Sequence, residues 1–309
     1  MKKWLVVLLS LFVLFIACVY FIVPNPKQIT KTALIRCSPE AAYRYLLTDT
    51  GWNNIWPVQN SHSSSASLVY DSNVYKVEQK TFEGFIISVR GLVNTETYLK
   101  VLSLRNDSVG LEWKAEVATS ANPFRRLAMN ARANTLSADM SAILRQFKTF
   151  FEQPKNIYGI DVKQQKVRDS ILMTIKQVSD QYPTTDKIYR LIGHLRTHIG
   201  KNIGKETNYP MLHIDSVGHQ YTVMVGIPVN KVLNESGDVV LKRMVLGNIL
   251  EAEVQGGTFR VNQAAKQLEH YVSDYKYSSP AIPFQQLVTN RLQEPDSSRW
   301  ITRLYYPVF

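Results

Sequence analysis

The sequence predicts an α+β protein: one N-terminal transmembrane helix followed by two soluble parts. Three observations predict it. An apolar run of membrane-spanning length opens the chain. Residues 27–153 then read as a strand, a small helix, several antiparallel strands and a long amphipathic helix. Residues 157–309 carry a strand–helix–strand–strand pattern twice. Strands segregated from helices in this way indicate an α+β class rather than alternating α/β.

The anchor comes first. Trp4 to Val23 is apolar except for Ser10, and Lys2 and Lys3 precede it. About 20 residues at 1.5 Å rise cross a hydrocarbon core roughly 30 Å thick. Trp4 and Tyr20 stand near the ends, where amphipathic rings favour the interface, and Pro24 and Pro26 stop the helix. Residues 1–26 are therefore expected to be an anchor, with the lipid bilayer as partner through residues 4–23. A cleaved signal, or a lipoprotein with Phe15-Ile16-Ala17-Cys18 as its modification site, is the competing reading. The apolar run continues through Val19 to Val23, where such leaders turn polar. Lys2 and Lys3 place the N-terminus in the cytoplasm and the soluble parts outside a bacterial inner membrane; Lys27, Lys31 and Arg36 pull the other way.

Composition bounds the rest. With 309 residues, 45% hydrophobic and 20% charged, the chain can build two ordinary cores. The net charge of +11 suits anionic partners, but Lys and Arg are scattered among Asp and Glu, so a solvated basic surface is expected and no nucleic-acid partner. Cys18 lies in the apolar run and Cys37 is alone in the soluble part, which excludes an intramolecular disulfide there.

In residues 27–153, Ile29 to Arg36 reads as a strand. Ser38-Pro39-Glu40 then opens a helix with a cap, a first-turn proline and a dipole-matching acid, and this helix is expected to end near Gly51. After Trp52…Trp56-Pro57 and the serine-rich loop Ser61 to Ser67, strands are expected at Val74–Lys80, Phe85–Val89, Thr95–Leu102 and Gly110–Val117. Leu136, Met140, Ile143, Leu144, Phe147, Phe150 and Phe151 give the closing helix its apolar stripe. The Cys37-Ser38-Pro39-Glu40 start, the tryptophan motif and the terminal helix resemble the START-like, polyketide cyclase/dehydrase (SRPBCC) superfamily. The resemblance implies a helix-grip domain around a hydrophobic ligand cavity, with Trp52 and Trp56 as ligand-binding candidates at its rim. It does not imply catalysis.

In residues 157–309 the duplication is explicit. A strand at Ser170–Val178, a helix carrying Ile188, Leu191, Ile192, Leu195 and Ile199, and strands Met211–Asp215 and Tyr221–Val229 end on Ile227-Pro228-Val229. A strand at Val245–Val254, a helix carrying Val261, Ala264, Ala265, Leu268, Tyr271, Val272 and Tyr275, and strands Phe284–Thr289 and Trp300–Val308 end on Tyr306-Pro307-Val308. A pseudo-twofold pair of such units puts both helices on one side of a sheet and a groove at the seam on the other. Ile282-Pro283-Phe284, Val288-Thr289-Asn290, Glu294-Pro295-Asp296 and Trp300 to Val308 resemble the GyrI-like small-molecule-binding domain, the effector-binding domain of AraC-type and MerR-type regulators. The resemblance implies binding of amphipathic or cationic small molecules in the central groove. Where the family usually has Glu after the Phe, this chain has Gln285; Leu287 replaces an aromatic and Asn290 an Asp. An amide hydrogen-bonds but accepts no proton, which argues against hydrolysis. Glu251 and Glu253 could restore a carboxylate or be solvated strand residues. Tyr305 and Arg303 share a strand face as further lining candidates or as an ordinary solvent-facing pair.

His194 and His198 have a zinc-compatible spacing but lack the glutamate of His-Glu-x-x-His, so they read as surface residues. Gly200…Gly204 and Gly256-Gly257 lack a following Gly-Lys-Ser/Thr. No helix-turn-helix precedes the duplicated part. No catalytic residue, metal or cofactor is expected. The reading is a membrane-anchored, non-enzymatic binding protein for a small hydrophobic or amphipathic ligand. The alternatives are a membrane-tethered interaction module and a hydrolase- or cyclase-type enzyme.

Overall fold

Helix α1 (Lys2–Ile22) is the direct outcome of the apolar run, and Lys3–Ile22 is long and apolar enough to cross a membrane. The computed structural model describes residues 2–57, 67–168 and 171–309, and contacts divide the chain into Met1–Gln153 and Pro154–Phe309. Residues 61–66 of the serine-rich loop and Ser170, the expected start of a strand, lie outside the described residues.

In the first unit, β1 (Lys27–Ile35) leads to α2 (Pro39–Leu46), whose N-terminus is closed by Ser38 Oγ accepting from the Ala41 amide at 3.4 Å. The single helix expected up to Gly51 is in fact two. Thr48 Oγ1 accepts from Gly51 N at 3.0 Å and caps a new helix, α3 (Asp49–Ile55). A Cβ on Gly51 would stand 2.0 Å from the Tyr45 carbonyl oxygen, so only glycine lets the second helix fold back on the first.

Strands β2 (Leu68–Tyr70), β3 (Asn73–Lys80), β4 (Gly84–Gly91), β5 (Thr95–Arg105) and β6 (Ser108–Val117) complete an antiparallel sheet in the order β1-β6-β5-β4-β3-β2. Bulges between Val77 and Gln79 and between Ser103 and Arg105 add local twist. Against it lies α4 (Pro123–Phe151), capped by Asn122 Oδ1, which accepts from Phe124 and Arg125 amides at 3.0 and 3.2 Å. Its buried residues Ala133, Leu136, Met140, Ile143, Leu144, Phe147 and Phe151 recur at helical spacing.

The space between helix and sheet is filled by rings. Trp52 packs on Phe85 and Phe147 at centroid distances of 5.3 and 5.7 Å, Trp56 on Tyr75 at 5.2 Å, and Tyr75 on Trp113 at 6.0 Å. Each such pair contributes about 0.5–1.5 kcal/mol beyond area burial.

In the second unit, α5 (Pro154–Tyr158) and β7 (Lys163–Lys166) precede the duplicated elements. The first copy is β8 (Ile171–Ser179), α6 (Thr185–Lys201), β9 (Met211–Val217) and β10 (Gln220–Pro228). After β11 (Val239–Arg243), the second copy is β12 (Asn248–Gln255), α7 (Thr258–Asp274), β13 (Phe284–Leu287) and β14 (Ile301–Val308). Within each copy the last strand pairs with the other two, giving β8-β10-β9 and β12-β14-β13, and the copies join at β9–β13. Neither β7 nor β11 was expected. Each precedes one copy but pairs with the outer strand of the other, β7 with β12 and β11 with β8, so the two copies exchange edge strands. One face buries Met173, Ile175, Leu212, Val223, Val225, Ile227 and Leu287 against α6; on α7 the matching buried stripe is Val261, Ala264, Leu268 and Val272.

Candidate functional site

Alternation along the strands puts every second side chain on the face away from the helices. Pairing registers also make the two copies directly comparable. Pro228 lies opposite Leu172, and Pro307 lies opposite Ile249. Stepping back along each terminal strand from its proline, Gly226 of the first copy therefore corresponds to Tyr305 of the second, and Met224 to Arg303.

The Gly226/Tyr305 difference shapes the groove. In the second copy the Tyr305 ring lies on the Phe284 ring (5.0 Å between centroids, 22° between planes), and its hydroxyl donates to Gln286 Oε1 at 3.4 Å. Burial, reinforced by the hydrogen bond and charge of Glu251, pushes the Tyr305 hydroxyl well above the ordinary phenol range, so it remains a donor. Gln165 Nε2 donates to Glu251 Oε2 at 2.9 Å beside it. The cavity left here is about 70 Å³. In the first copy Gly226 supplies no side chain, and a cavity of about 130 Å³ opens. That is close to the ~150 Å³ at which an apolar cavity admits a benzene-sized group. Met211, Met244 and Phe284 border both cavities, so the two are neighbours across the seam.

The larger cavity has an adaptable apolar wall. Met211, Met224 and Met244 contribute flexible, polarisable thioethers, and Leu172, Ile282, Phe284 and Pro307 complete it. Thr174 is apolar towards this space: its hydroxyl donates to the Val240 carbonyl at 3.0 Å, and its methyl would stand 3.4 Å from a Cβ placed on Gly226. His213 Nδ1 lies 2.8 Å from the Pro283 carbonyl, an acceptor only, so this nitrogen carries the proton. Lys242 and Arg243 are exposed at the mouth, with Lys242 Nζ 3.3 Å from Met224 Sδ.

The residues proposed from sequence separate into four groups. Tyr305 meets Glu251 in the second-copy half of the groove. Arg303 and Glu253 form an ion pair at 3.0 Å further along the same strands, outside both cavities. Gln285 does not line the groove. It is in register with Leu304 and Leu212, and alternation from Phe284 turns it to the helix-bearing face, leaving the neighbouring Gln286, 1% exposed, in the groove.

Trp52 and Trp56 belong to the other unit's core, at 3% and 5% exposure. Their indole N–H groups donate to the Leu46 and Val69 carbonyls at 2.6 and 3.0 Å, so neither keeps a polar handle for a ligand. The motif residues of the last loop hold that loop together. Thr289 Oγ1 accepts from Ile301 N at 2.9 Å, Trp300 Nε1 donates to the Glu294 carbonyl at 2.8 Å, and the buried Arg291 donates to Thr302 Oγ1 at 2.9 Å beneath the Trp300 ring. His198 meets the Asn234 carbonyl, His194 faces Asp238 at 3.8 Å, and among the described residues no group of three metal-ligating side chains occurs.

Sequence reasoning missed the methionines, Gly226, His213 and the mouth cations. A signal for Gly226 was present, since Gly226-Ile227-Pro228-Val229 and Tyr305-Tyr306-Pro307-Val308 align at once.

No protein-family model matches the chain, and no curated protein sequence matches it. Solved structures are similar in backbone over part of it. The C-terminal domain of EcmrR is 15% identical with a TM-score of 0.43, covering 48% of this chain and 98% of that one. SAV2435, in a structure bound to tetraphenylphosphonium, is 15% identical with a TM-score of 0.32, covering 48% and 94%. Aha1 from Colwellia psychrerythraea, a dimer in solution, is 16% identical with a TM-score of 0.31, covering 41% and 96%. At these identities none of them fixes what this chain binds.

Proposed function

We propose that this chain is a membrane-anchored binding protein for a small hydrophobic or amphipathic molecule, and that the ligand sits in the groove of the C-terminal unit. On this reading residues 27–153 are a START-like helix-grip domain, residues 157–309 a GyrI-like domain, and α1 an anchor that holds both outside the cytoplasm. The observation that carries the proposal is the Gly226/Tyr305 difference between two copies of the same strand and helix plan. It leaves an apolar, methionine-lined opening in one half of the groove while a ring fills the other. Pockets of this kind, apolar with a few polar groups, are suited to small ligands. The N-terminal unit is the weaker candidate, because Trp113, Tyr75, Phe85 and Phe147 are fully buried at its centre. Among the described residues no carboxylate lines either cavity, and Glu251, opposite Tyr305, is already engaged by Gln165, which favours binding over acid–base chemistry.

Native mass spectrometry of the detergent-released full chain, with extraction of bound molecules, tests this. A stoichiometric hydrophobic adduct is expected on the wild type. Gly226→Tyr, which copies the second half's ring into the first, is expected to lose most of it, and Gly226→Ala to lose part. An adduct that survives Gly226→Tyr unchanged would move the site out of the groove. An empty wild type with no adduct would favour the interaction-module reading.

A further inference from the structure

We propose that the groove selects amphipathic anions: an apolar body held against the methionines, ending in a carboxylate, sulfonate or phosphate at Lys242 and Arg243. The inference rests on the groove being a ligand site and adds the sign of the charge it accepts.

The exchanged edge strands set that sign. Gln165 pairs with Ile249 and Lys242 with Leu172, two positions that correspond between the copies. The ends of β7 and β11 are therefore equivalent, and each runs out in basic residues at the groove: Lys166 and Arg168 beside the smaller cavity, Lys242 and Arg243 beside the larger. All four are exposed, and among the described residues none is in an ion pair.

Carboxylates are placed elsewhere. Among the described residues none lines the larger cavity. Asp215 shares the groove face two residues beyond His213, but it is exposed and accepts from the Ser216 amide at 2.8 Å. Glu251 lies opposite Tyr305 on the neighbouring strand of the second copy, with Gln165 as donor. A cation entering the larger cavity would meet two cations at its mouth and, among the described residues, no carboxylate in its wall. An anion would meet complementary charge while its head stays hydrated, avoiding the cost of burying an ion. Solvated charges of this kind contribute little affinity but decide between ligands of opposite sign. The apolar wall supplies the affinity in either case.

Seven methionines in the chain make the test site-specific. Full-length protein carrying [methyl-13C]methionine would be placed in phosphatidylcholine nanodiscs and titrated with octanoate and with octyltrimethylammonium. Met211, Met224 and Met244 report the groove, and Met140 in the other unit serves as control. Octanoate is expected to shift the three groove signals saturably, with the ammonium needing roughly tenfold higher concentration. In Lys242→Glu/Arg243→Glu the order of the two probes is expected to reverse while the control signal stays in place.

Discs containing phosphatidylglycerol, without octanoate, distinguish the source. Shifted groove signals there would support the anion class and assign it to a bilayer lipid; unshifted signals with a positive octanoate titration would support a free amphiphile. An ammonium probe that binds as well as octanoate, or better, overturns the anion inference and leaves the groove as a site. Groove signals unmoved by either probe overturn the site reading itself.

Discussion

Buried on α4 of the N-terminal unit, Asp139 is 5% exposed and accepts at one oxygen from Asn73 Nδ2 (2.9 Å) and the Tyr75 hydroxyl (3.2 Å). Desolvation raises its pKa above the ordinary carboxylate value, and those two donors only partly offset this. The sign follows from proton linkage. A folded-state pKa above the unfolded one means the fold holds the proton more tightly, so this group's stabilising contribution is present at acid pH and is lost as pH rises through the raised value. Asp139→Asn keeps an acceptor for both donors and removes the charge. At neutral pH the variant is expected to melt about 2–5 °C higher, with the gap closing as pH falls towards the carboxylate range. Circular-dichroism melts at several pH values check it; a lower melting temperature at pH 7 would show that the charge itself stabilises the core. The same scale explains the fate of the proposed groove residues. Strand alternation put Tyr305 and Arg303 on one face, and of the two only Tyr305 borders a cavity of the groove. Gln285 was displaced by one position, and in a strand one position moves a side chain to the opposite face.

At the scale of elements, a regular apolar pattern was legible and a structure made by exchange was not. The repeated strands and helices announced themselves by period and by matching proline endings. Lys163-Gln-Gln-Lys166 has no apolar alternation, because β7 is an edge strand whose partner belongs to the other copy. No local pattern encodes that pairing, and the basic ends that line the groove went unseen with it. The break between α2 and α3 was missed for a related reason. Thr48 and Asp49 read as late helix residues until Gly51 is seen to need the close approach to Tyr45. Gly51→Ala puts a methyl against a backbone oxygen that cannot move without unwinding α2. A loss of about 3 kcal/mol or more is expected for the N-terminal unit, read as a lower denaturation midpoint. The transition assigned to the C-terminal unit should be unchanged, and a shift of less than about 0.5 kcal/mol would mean the two helices separate freely.

For the molecule as a whole, the exit of α1 matters more than its hydrophobicity. A tether of loose residues would let the N-terminal unit swing, yet Val23, Pro24 and Asn25 are all engaged by that unit. Arg126 donates from Nε to the Val23 carbonyl at 2.8 Å and a second time from Nη2, while its guanidinium lies 4.8 Å from the Tyr20 ring centre. The Tyr20 hydroxyl donates to the Ala121 carbonyl, and Thr119 N donates to Asn25 Oδ1 at 3.1 Å. A buried arginine thus satisfies an orphan carbonyl at the C-terminal end of α1, where positive charge is also favoured by the helix dipole. Phe124, on the first turn of α4, is 6.4 Å from Phe15 of α1 between ring centres, so the two helices meet along their sides as well. Helix α1 is therefore fastened to the rest of the N-terminal unit both at its C-terminal end and along its side. Arg126→Ala removes both hydrogen bonds and the ring contact without touching the groove. Hydrogen exchange of residues 20–27 in nanodiscs is expected to rise at least tenfold, and the methionine signals of the groove to stay where they are. Unchanged exchange in the variant would mean that the hydrocarbon, rather than Arg126, orders the junction.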